Sequence, residues 1–165
     1  KATIYNYFSS KELLFFEVMH QANHAQFVTI HAMLDLEAED VGEALRLFGE
    51  ALLLFIYSAD VMAIRRLVMT NACNGSLGQT CFELGPRRSM DEISEFLRSA
   101  IERGQLRPCA PAVATFHLRG LLESELLDSL IFRVDETIST ERIKAAVERA
   151  IAVFMAAYGP TTAAA

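Results

Sequence analysis

The stretch KATIYNYFSSKELLFF, residues 1–16, crowds aromatic, hydroxyl and amide side chains just before a helix start, and it decides how the chain is interpreted. Ser9 with Glu12 three residues later forms a capping box, in which the serine hydroxyl satisfies one backbone amide and the glutamate another. This spacing predicts a helix from Ser10 to about Ala32. Beyond it, apolar residues recur at intervals of three and four without period-two alternation, so we predict an all-α chain.

Five further helical segments follow from the same pattern and from the glycine, proline and capping residues between them. Gly85-Pro86 should kink or break one of them, because proline lacks the amide proton of a helix interior. Gly104 is placed to stop that helix, and Asp40 with Glu43 repeats the capping device. The predicted segments are 40–60, a shorter one at 61–73, 77–103, 111–132 and 139–158.

The composition describes one folded globular domain. The chain has 165 residues, of which 52% are apolar and 22% charged, and such a length buries roughly 68–70% of the unfolded surface. With 15 basic and 21 acidic residues the net charge is −6, which excludes a uniformly basic surface and restricts any DNA contact to a local segment. Three cysteines fit neither a CxxC pair nor a disulfide framework, so we expect a cytoplasmic protein. No apolar stretch reaches the roughly 18 residues of a membrane span.

The first eleven residues carry the chemistry. Hydroxyl, amide and ammonium groups on one short helix are what phosphates and base edges accept. The alternative is that the aromatic residues simply pack inside and the lysines are solvated.

This stretch resembles the recognition helix and following turn of TetR-family repressors. Their pattern is threonine, an apolar residue, tyrosine, any residue, tyrosine or histidine, phenylalanine, a small polar pair and lysine, which here runs from Thr3 to Lys11. The later helices and the Gly85-Pro86-Arg87-Arg88 segment are similar to the effector-binding domain of that family. The family has two further helices and the first half of the helix-turn-helix before this point, so we expect a further segment upstream of Lys1.

The resemblance implies a TetR-like helical bundle in which an effector-binding domain follows an incomplete helix-turn-helix. Residues 1–32 would hold the remnant of the DNA-binding domain and the connecting helix, residues 33–160 the effector-binding and dimerisation domain, and residues 161–165 a tail. The implied function is a ligand-responsive regulator, a repressor that binds palindromic operator DNA as a dimer and is released by a small apolar effector. The implied DNA-binding residues are Lys1, Thr3, Tyr5, Asn6, Tyr7 and Lys11.

In this family the ligand lies between the connecting helix and the helices after it. Flexible methionines and aromatic rings suit an apolar molecule, although for each residue taken singly plain core is favoured over ligand contact. Arg65 and Arg66 are expected on the surface unless an anion or a carboxylate such as Glu123 pairs with them. The candidate ligand-binding residues are Phe48, Leu52, Phe55, Met62, Arg65, Arg66, Met69, Phe82, Met90, Phe96, Phe116 and His117.

The predicted helix 111–132 is apolar nearly all round, which favours cover by a second surface. By resemblance, the two C-terminal helices would pair with those of a second chain in a homodimer. The alternative is that both helices form only the core of a monomer.

Other classes of function find less support. Glu17, His20, His24 and His31 share a helix face, but a polar face is favoured over a metal site because one Glu-x-x-His pair is too few for a di-iron bundle. No glycine-rich phosphate loop, Gly-x-Ser-x-Gly elbow or oriented Cys/His pair is present, so we expect no enzyme and no cofactor. The remaining alternative is a helical small-molecule-binding or protein-interaction module without DNA activity.

Overall fold

Eight α-helices and one short π-helical segment make up the part of the chain that the computed structural model describes, residues 10–71, 76–132 and 138–160. No strand occurs in these ranges, and the predicted all-α class is confirmed. In chain order the helices are α1 (Lys11–His31), α2 (Val41–Ile56), α3 (Ala59–Asn71), α4 (Leu77–Phe82), the π-helical segment (Glu83–Arg87), α5 (Arg88–Glu102), α6 (Pro111–Glu123), α7 (Leu127–Ile131) and α8 (Thr140–Tyr158).

The helix starts follow from local capping. The Asp40 carboxylate accepts from the Glu43 amide at 2.9 Å, as the sequence predicted, and the Ser139 hydroxyl caps α8 by accepting from the Arg142 amide at 3.2 Å. At α1 the prediction was wrong by one residue. Ser10, in extended conformation, caps the helix by accepting from the Leu13 amide at 3.1 Å, and Ser9 lies outside the described residues.

The end of α5 confirms the predicted glycine stop. Gly104 has φ of +75°, in the left-handed region, and its amide donates to the Ile101 carbonyl at 3.0 Å. The Gln105 amide then donates to Ala100 at 2.9 Å, so the last carbonyls of the helix are satisfied as the chain turns away.

The boundary between the helices predicted for 40–60 and 61–73 lies earlier in the structure. The helix predicted for 40–60 ends at Ile56, because the Ser58 hydroxyl caps a new start by accepting from the Val61 amide at 3.4 Å. Helices α2 and α3 meet there at 66°. Among the described helices none is by itself long and apolar enough to cross a membrane; this bent pair has the combined length and composition.

The helix predicted for 111–132 ends at Glu123 and resumes as α7 at Leu127. Both the amide and the hydroxyl of Ser124 donate to the Leu121 carbonyl, and this tighter turn competes with the α-helical ladder. At Gly85-Pro86, by contrast, the predicted interruption takes the form of a wide π turn, and the helical backbone continues without a gap into α5.

Two hydrophobic clusters organise the packing. The larger joins α2, α5, α6 and α8 around side chains such as Phe48, Phe96 and Phe154, all fully buried. The smaller, where α1, α3 and α4 meet, contains Phe16, Ile64 and Leu77. The two clusters do not merge, and this leaves space between them.

Candidate functional site

A cavity of about 180 Å³ occupies the space between the two clusters. Its wall takes residues from α1 to α6 and from the π-helical segment, and it is largely apolar. The aromatic rings of Phe16, Phe27 and Phe55 line it, together with Leu52 and Ile93. An apolar cavity of about 150 Å³ stays dry and admits benzene. This cavity therefore has room for a molecule built on one aromatic ring.

Helix α1 supplies one side of the cavity along most of its length. Phe16, His20, Asn23, His24 and Phe27 lie on one face, spaced by three and four residues. The rings follow one another, with centroids 5.7 Å apart for Phe16 and His20 and 5.8 Å apart for His20 and His24. A molecule in the cavity would touch α1 directly.

A hydrogen-bonded chain connects the end of α1 to the cavity wall on α5. His31, only 6% exposed, donates from Nδ1 to the Phe27 carbonyl at 2.9 Å, since a carbonyl can only accept. Its Nε2 then accepts from the Ser89 hydroxyl at 2.8 Å, and Ser89 lines the cavity. Burial is the main cause that lowers the pKa of His31, so the ring is neutral in this arrangement.

An ion pair closes another side of the cavity. Arg65 Nη1 lies 3.2 Å from Glu123 Oε1, and the side chains are 29% and 12% exposed. The prediction that Arg65 lies on the surface is therefore wrong. Arg65 points inward and pairs with Glu123, the carboxylate that the sequence analysis named as its partner for an inward position. Its guanidinium also lies 5.8 Å from the centroid of the Tyr57 ring. Burial raises the pKa of Tyr57 to about 12, so its hydroxyl stays protonated at neutral pH.

Arg119 is a second arginine among the residues that line the cavity. It is half-buried on α6, one helical turn before Glu123. In the described part of the chain no carboxylate forms an ion pair with it. Cys81, also at the wall, has its thiol pKa raised mainly by burial, so its sulfur behaves as a small apolar group.

The DNA-binding candidates are only partly visible. Lys1, Thr3, Tyr5, Asn6 and Tyr7 lie outside the described residues. The Lys11 side chain is 81% exposed at the start of α1, with its ammonium 3.7 Å from the Glu12 carboxylate.

Of the twelve candidate ligand-binding residues, the structure brings three to the cavity, Leu52, Phe55 and Arg65. The other nine lie outside its wall. The prediction failed for them because helical spacing identifies an apolar face without showing whether that face meets core, solvent or a cavity. Phe48 and Phe96 are fully buried core, the side chains of Met69, Phe82 and Phe116 are exposed, Arg66 is exposed, and His117 bonds to the Tyr158 hydroxyl. Met62 and Met90 are half-buried elsewhere.

Sequence reasoning missed the cavity face of α1, as well as Ser89 and Arg119. A signal for α1 existed, since histidines and phenylalanines share one face, but the histidines were weighed as a polar face or as metal ligands and not as a cavity wall. Among the described residues no group of three His, Cys, Asp or Glu side chains is placed to hold a metal ion. His31 in particular is occupied by Phe27 and Ser89.

Comparisons with known proteins concern the whole arrangement. Residues 43–160 match the family model described as the C-terminal domain of AefR-like transcriptional repressors. A TetR-family transcriptional regulator from Mesorhizobium loti has a similar fold, with a TM-score of 0.84 at 24% identity over 96% of this chain and 80% of that one. The flavonoid-responsive regulator FrrA gives 0.73 at 24% identity, covering 98% of this chain and 81% of that one.

A TetR regulator from Agrobacterium tumefaciens gives a TM-score of 0.70 at 18% identity, over 97% of this chain and 78% of that one. At these identities the three structures show a shared fold. No curated protein sequence matches significantly.

Proposed function

The chain belongs to the TetR family of transcriptional regulators, and on that premise we propose that it binds operator DNA as a homodimer and releases it when a small, largely apolar effector fills the cavity. In this proposal it acts as a repressor. The effector site is the space between the two hydrophobic clusters, and the DNA-reading segment is residues 1–11.

The observation that carries the proposal is the position of α1. This helix lines the cavity from Phe16 to Phe27, and in the sequence it directly follows the stretch that resembles a recognition helix. An effector that overfills the cavity of about 180 Å³ would press on α1, which forms one of its sides. Displacement of α1 would change the separation of the two reading segments in a dimer.

The expected coupling between the sites is modest. A free-energy coupling of about 1–3 kcal/mol corresponds to a roughly 5–150-fold loss of DNA affinity, provided that the effector prefers the state that does not bind DNA. The aromatic wall of Phe16, Phe27 and Phe55 favours a planar effector. FrrA is described as flavonoid-responsive, and a ring system of that kind suits such a wall.

The proposed dimer interface is the outer face of α6 and α8. Val113, Phe116 and Val153 are 50%, 61% and 54% exposed, and Ala152 and Ala156 beside them are exposed as well. At Gly120 on α6, no atom lies within 4 Å of the position that a Cβ would take, so a second backbone can approach closely there. Two such faces would pack as a four-helix bundle.

The proposed DNA contacts are Lys1, Thr3, Tyr5, Asn6, Tyr7 and Lys11. Lys11 offers the sharpest test because its side chain is exposed. We would select operator fragments from genomic DNA with the protein encoded by the complete gene, and then measure affinity against salt concentration. The substitution Lys11→Ala should weaken binding and reduce the salt slope by about one per lost phosphate contact.

Lys144→Ala is the matched control, since Lys144 is an exposed lysine on α8, whereas Lys11 begins α1. It should leave both affinity and slope unchanged. Equal behaviour of the two variants would contradict the DNA-contact role of Lys11. A complete gene product that selects no DNA at all would favour the module without DNA activity.

A further inference from the structure

The charged groups on the cavity wall do not balance. Arg65 and Arg119 line the cavity together with Glu123, and the described wall contains no other acidic side chain. Arg65 forms an ion pair with that carboxylate, with Nη1 3.2 Å from Oε1 of Glu123. The residues that line the cavity therefore include one arginine more than they include carboxylates, and the arginine without an ion pair among the described residues is Arg119.

Arg119 is free to act on a ligand. It could reach Glu123 across one turn of α6, but the carboxylate is turned toward Arg65 on α3. The shallow depression on the outer side of α6 contains Asp128 and is also lined by Arg119, yet no ion pair joins these two residues in the described part of the chain. A half-buried guanidinium without a partner gains more from a bound anion than an exposed one does, because less water screens it.

Two other polar groups of the wall already use hydrogen-bond donors within the protein. Asn23 donates from its side-chain amide to the Met19 carbonyl at 2.8 Å. The Ser89 hydroxyl donates to His31 at 2.8 Å, since the neutral ring accepts there. Arg119 offers a planar set of donors that matches a carboxylate.

We propose that the effector is an aromatic carboxylic acid, with its ring against Phe16, Phe27 and Phe55 and its carboxylate on Arg119. The volume of about 180 Å³ limits the part that enters without wall movement to about one ring with a small substituent. The identification of the cavity as an effector site rests on the proposed function. The charge preference rests on the wall alone.

The test uses benzoate and benzamide, which have nearly the same shape and differ in charge. Their dissociation constants for the full chain are measured at pH 7.5 by protein-detected NMR titration, without DNA. Benzoate should bind on the order of tenfold more tightly, the effect expected for a charge-assisted contact. Arg119→Gln should reduce that ratio to about one while benzamide binding is kept, and Arg119→Lys should retain part of it.

Arg66→Gln is the matched control, because Arg66 is an exposed arginine on α3 that does not line the cavity. It should preserve the ratio. The proposal is overturned if the wild-type protein binds both probes equally, if it binds neither, or if Arg119→Gln keeps the preference with an unchanged circular dichroism spectrum.

Release of operator DNA by benzoate is measured separately. Charge-selective binding without release would contradict the proposed function and leave the Arg119 assignment standing. Release by uncharged aromatics as readily as by benzoate would support the proposed function and overturn the assignment.

Discussion

His31 is the buried polar residue whose hydrogen bonds join two helices and the cavity. Its ring stacks on Phe27 with centroids 4.0 Å apart and meets the edge of Phe48 at 5.3 Å, so two apolar rings contact it. Both nitrogens are satisfied, which is the condition for keeping a polar ring at this depth. Protonation would require Nε2 to donate as well as Nδ1 and would place a charge against these rings.

The stability of the protein should therefore fall as the pH is lowered through the range just below pH 7. The folded pKa of His31 lies below the usual value of about 6.5. At pH values between the folded and the unfolded pKa of His31, the unfolded chain binds more protons than the folded chain. The free energy of unfolding is therefore highest above about pH 6.5 and decreases as the pH falls toward the folded pKa. Urea unfolding at about pH 7.5, 6.5, 5.5 and 5.0 would measure how the free energy of unfolding changes with pH.

His31→Asn should flatten that dependence, whereas His24→Asn, on the exposed part of α1, should not. The carboxylates with lowered pKa values, Glu43, Glu125 and Glu141, titrate below this window. A slope that is the same in the wild type and in His31→Asn would show that another group is responsible.

Ser89→Ala should destabilise the protein by about 1 kcal/mol, because the buried Nε2 of His31 loses its donor. Ser94→Ala on the same helix serves as the control, since no hydrogen bond of its side chain is present among the described residues, and its effect should stay within about 0.5 kcal/mol. Equilibrium urea unfolding at about pH 7.5, where the His31 ring is neutral, gives both values. Equal changes in the two variants would refute a structural role for the bond from Ser89 to His31.

Helix boundaries divide into those that neighbours in sequence determine and those that distant contacts determine. The starts at Asp40 and Ser139 and the stop at Gly104 involve groups within about one turn, so their residue types predicted them. The break between α6 and α7 depends on Ser124 bonding back to Leu121 in preference to continuing the ladder. Serine is compatible with both arrangements, and spacing alone could not choose between them.

Gly104→Ala should destabilise the protein by about 1–2 kcal/mol, because a side chain at φ of +75° is strained although no atom lies within 4 Å of the added carbon. Gly104→Asn should cost less, since asparagine tolerates the left-handed conformation better. Thermal unfolding of the three proteins compares them. An alanine variant as stable as the wild type would mean that the turn after α5 relaxes to another conformation.

For the entire chain, the family and the class of fold could be predicted, while the cavity could not. Thr3 to Lys11 carry a pattern in sequence order, and recognising it needs no knowledge of distances. The cavity arises because the clusters around Phe48 and Phe16 do not merge, and that depends on how helices far apart in sequence pack. Arg119 was missed for the same reason, since its neighbour Glu123 is bonded to α3.

Phe116→Glu should weaken the proposed homodimer at least about tenfold, because it places a charge in the centre of the exposed apolar face of α6. Leu47→Glu is the control: its side chain is 47% exposed on α2, outside the proposed interface. Sedimentation equilibrium would give both dissociation constants. A wild-type protein that sediments as a monomer, or two variants with the same dissociation constant, would contradict this interface.

The wide turn at Gly85-Pro86 sets the direction in which the next helix faces. Cys81, Gly85, Ser89 and Ile93 are spaced by four residues and all line the cavity. In an uninterrupted α-helix each step of four rotates a side chain by about 40°, so the last would point about 120° away from the first. The slower winding of the π turn absorbs much of that rotation. The winding of these five residues thus keeps α4 and α5 facing the same cavity. The shape of the cavity depends on the length of the π-helical segment as much as on the identity of its side chains.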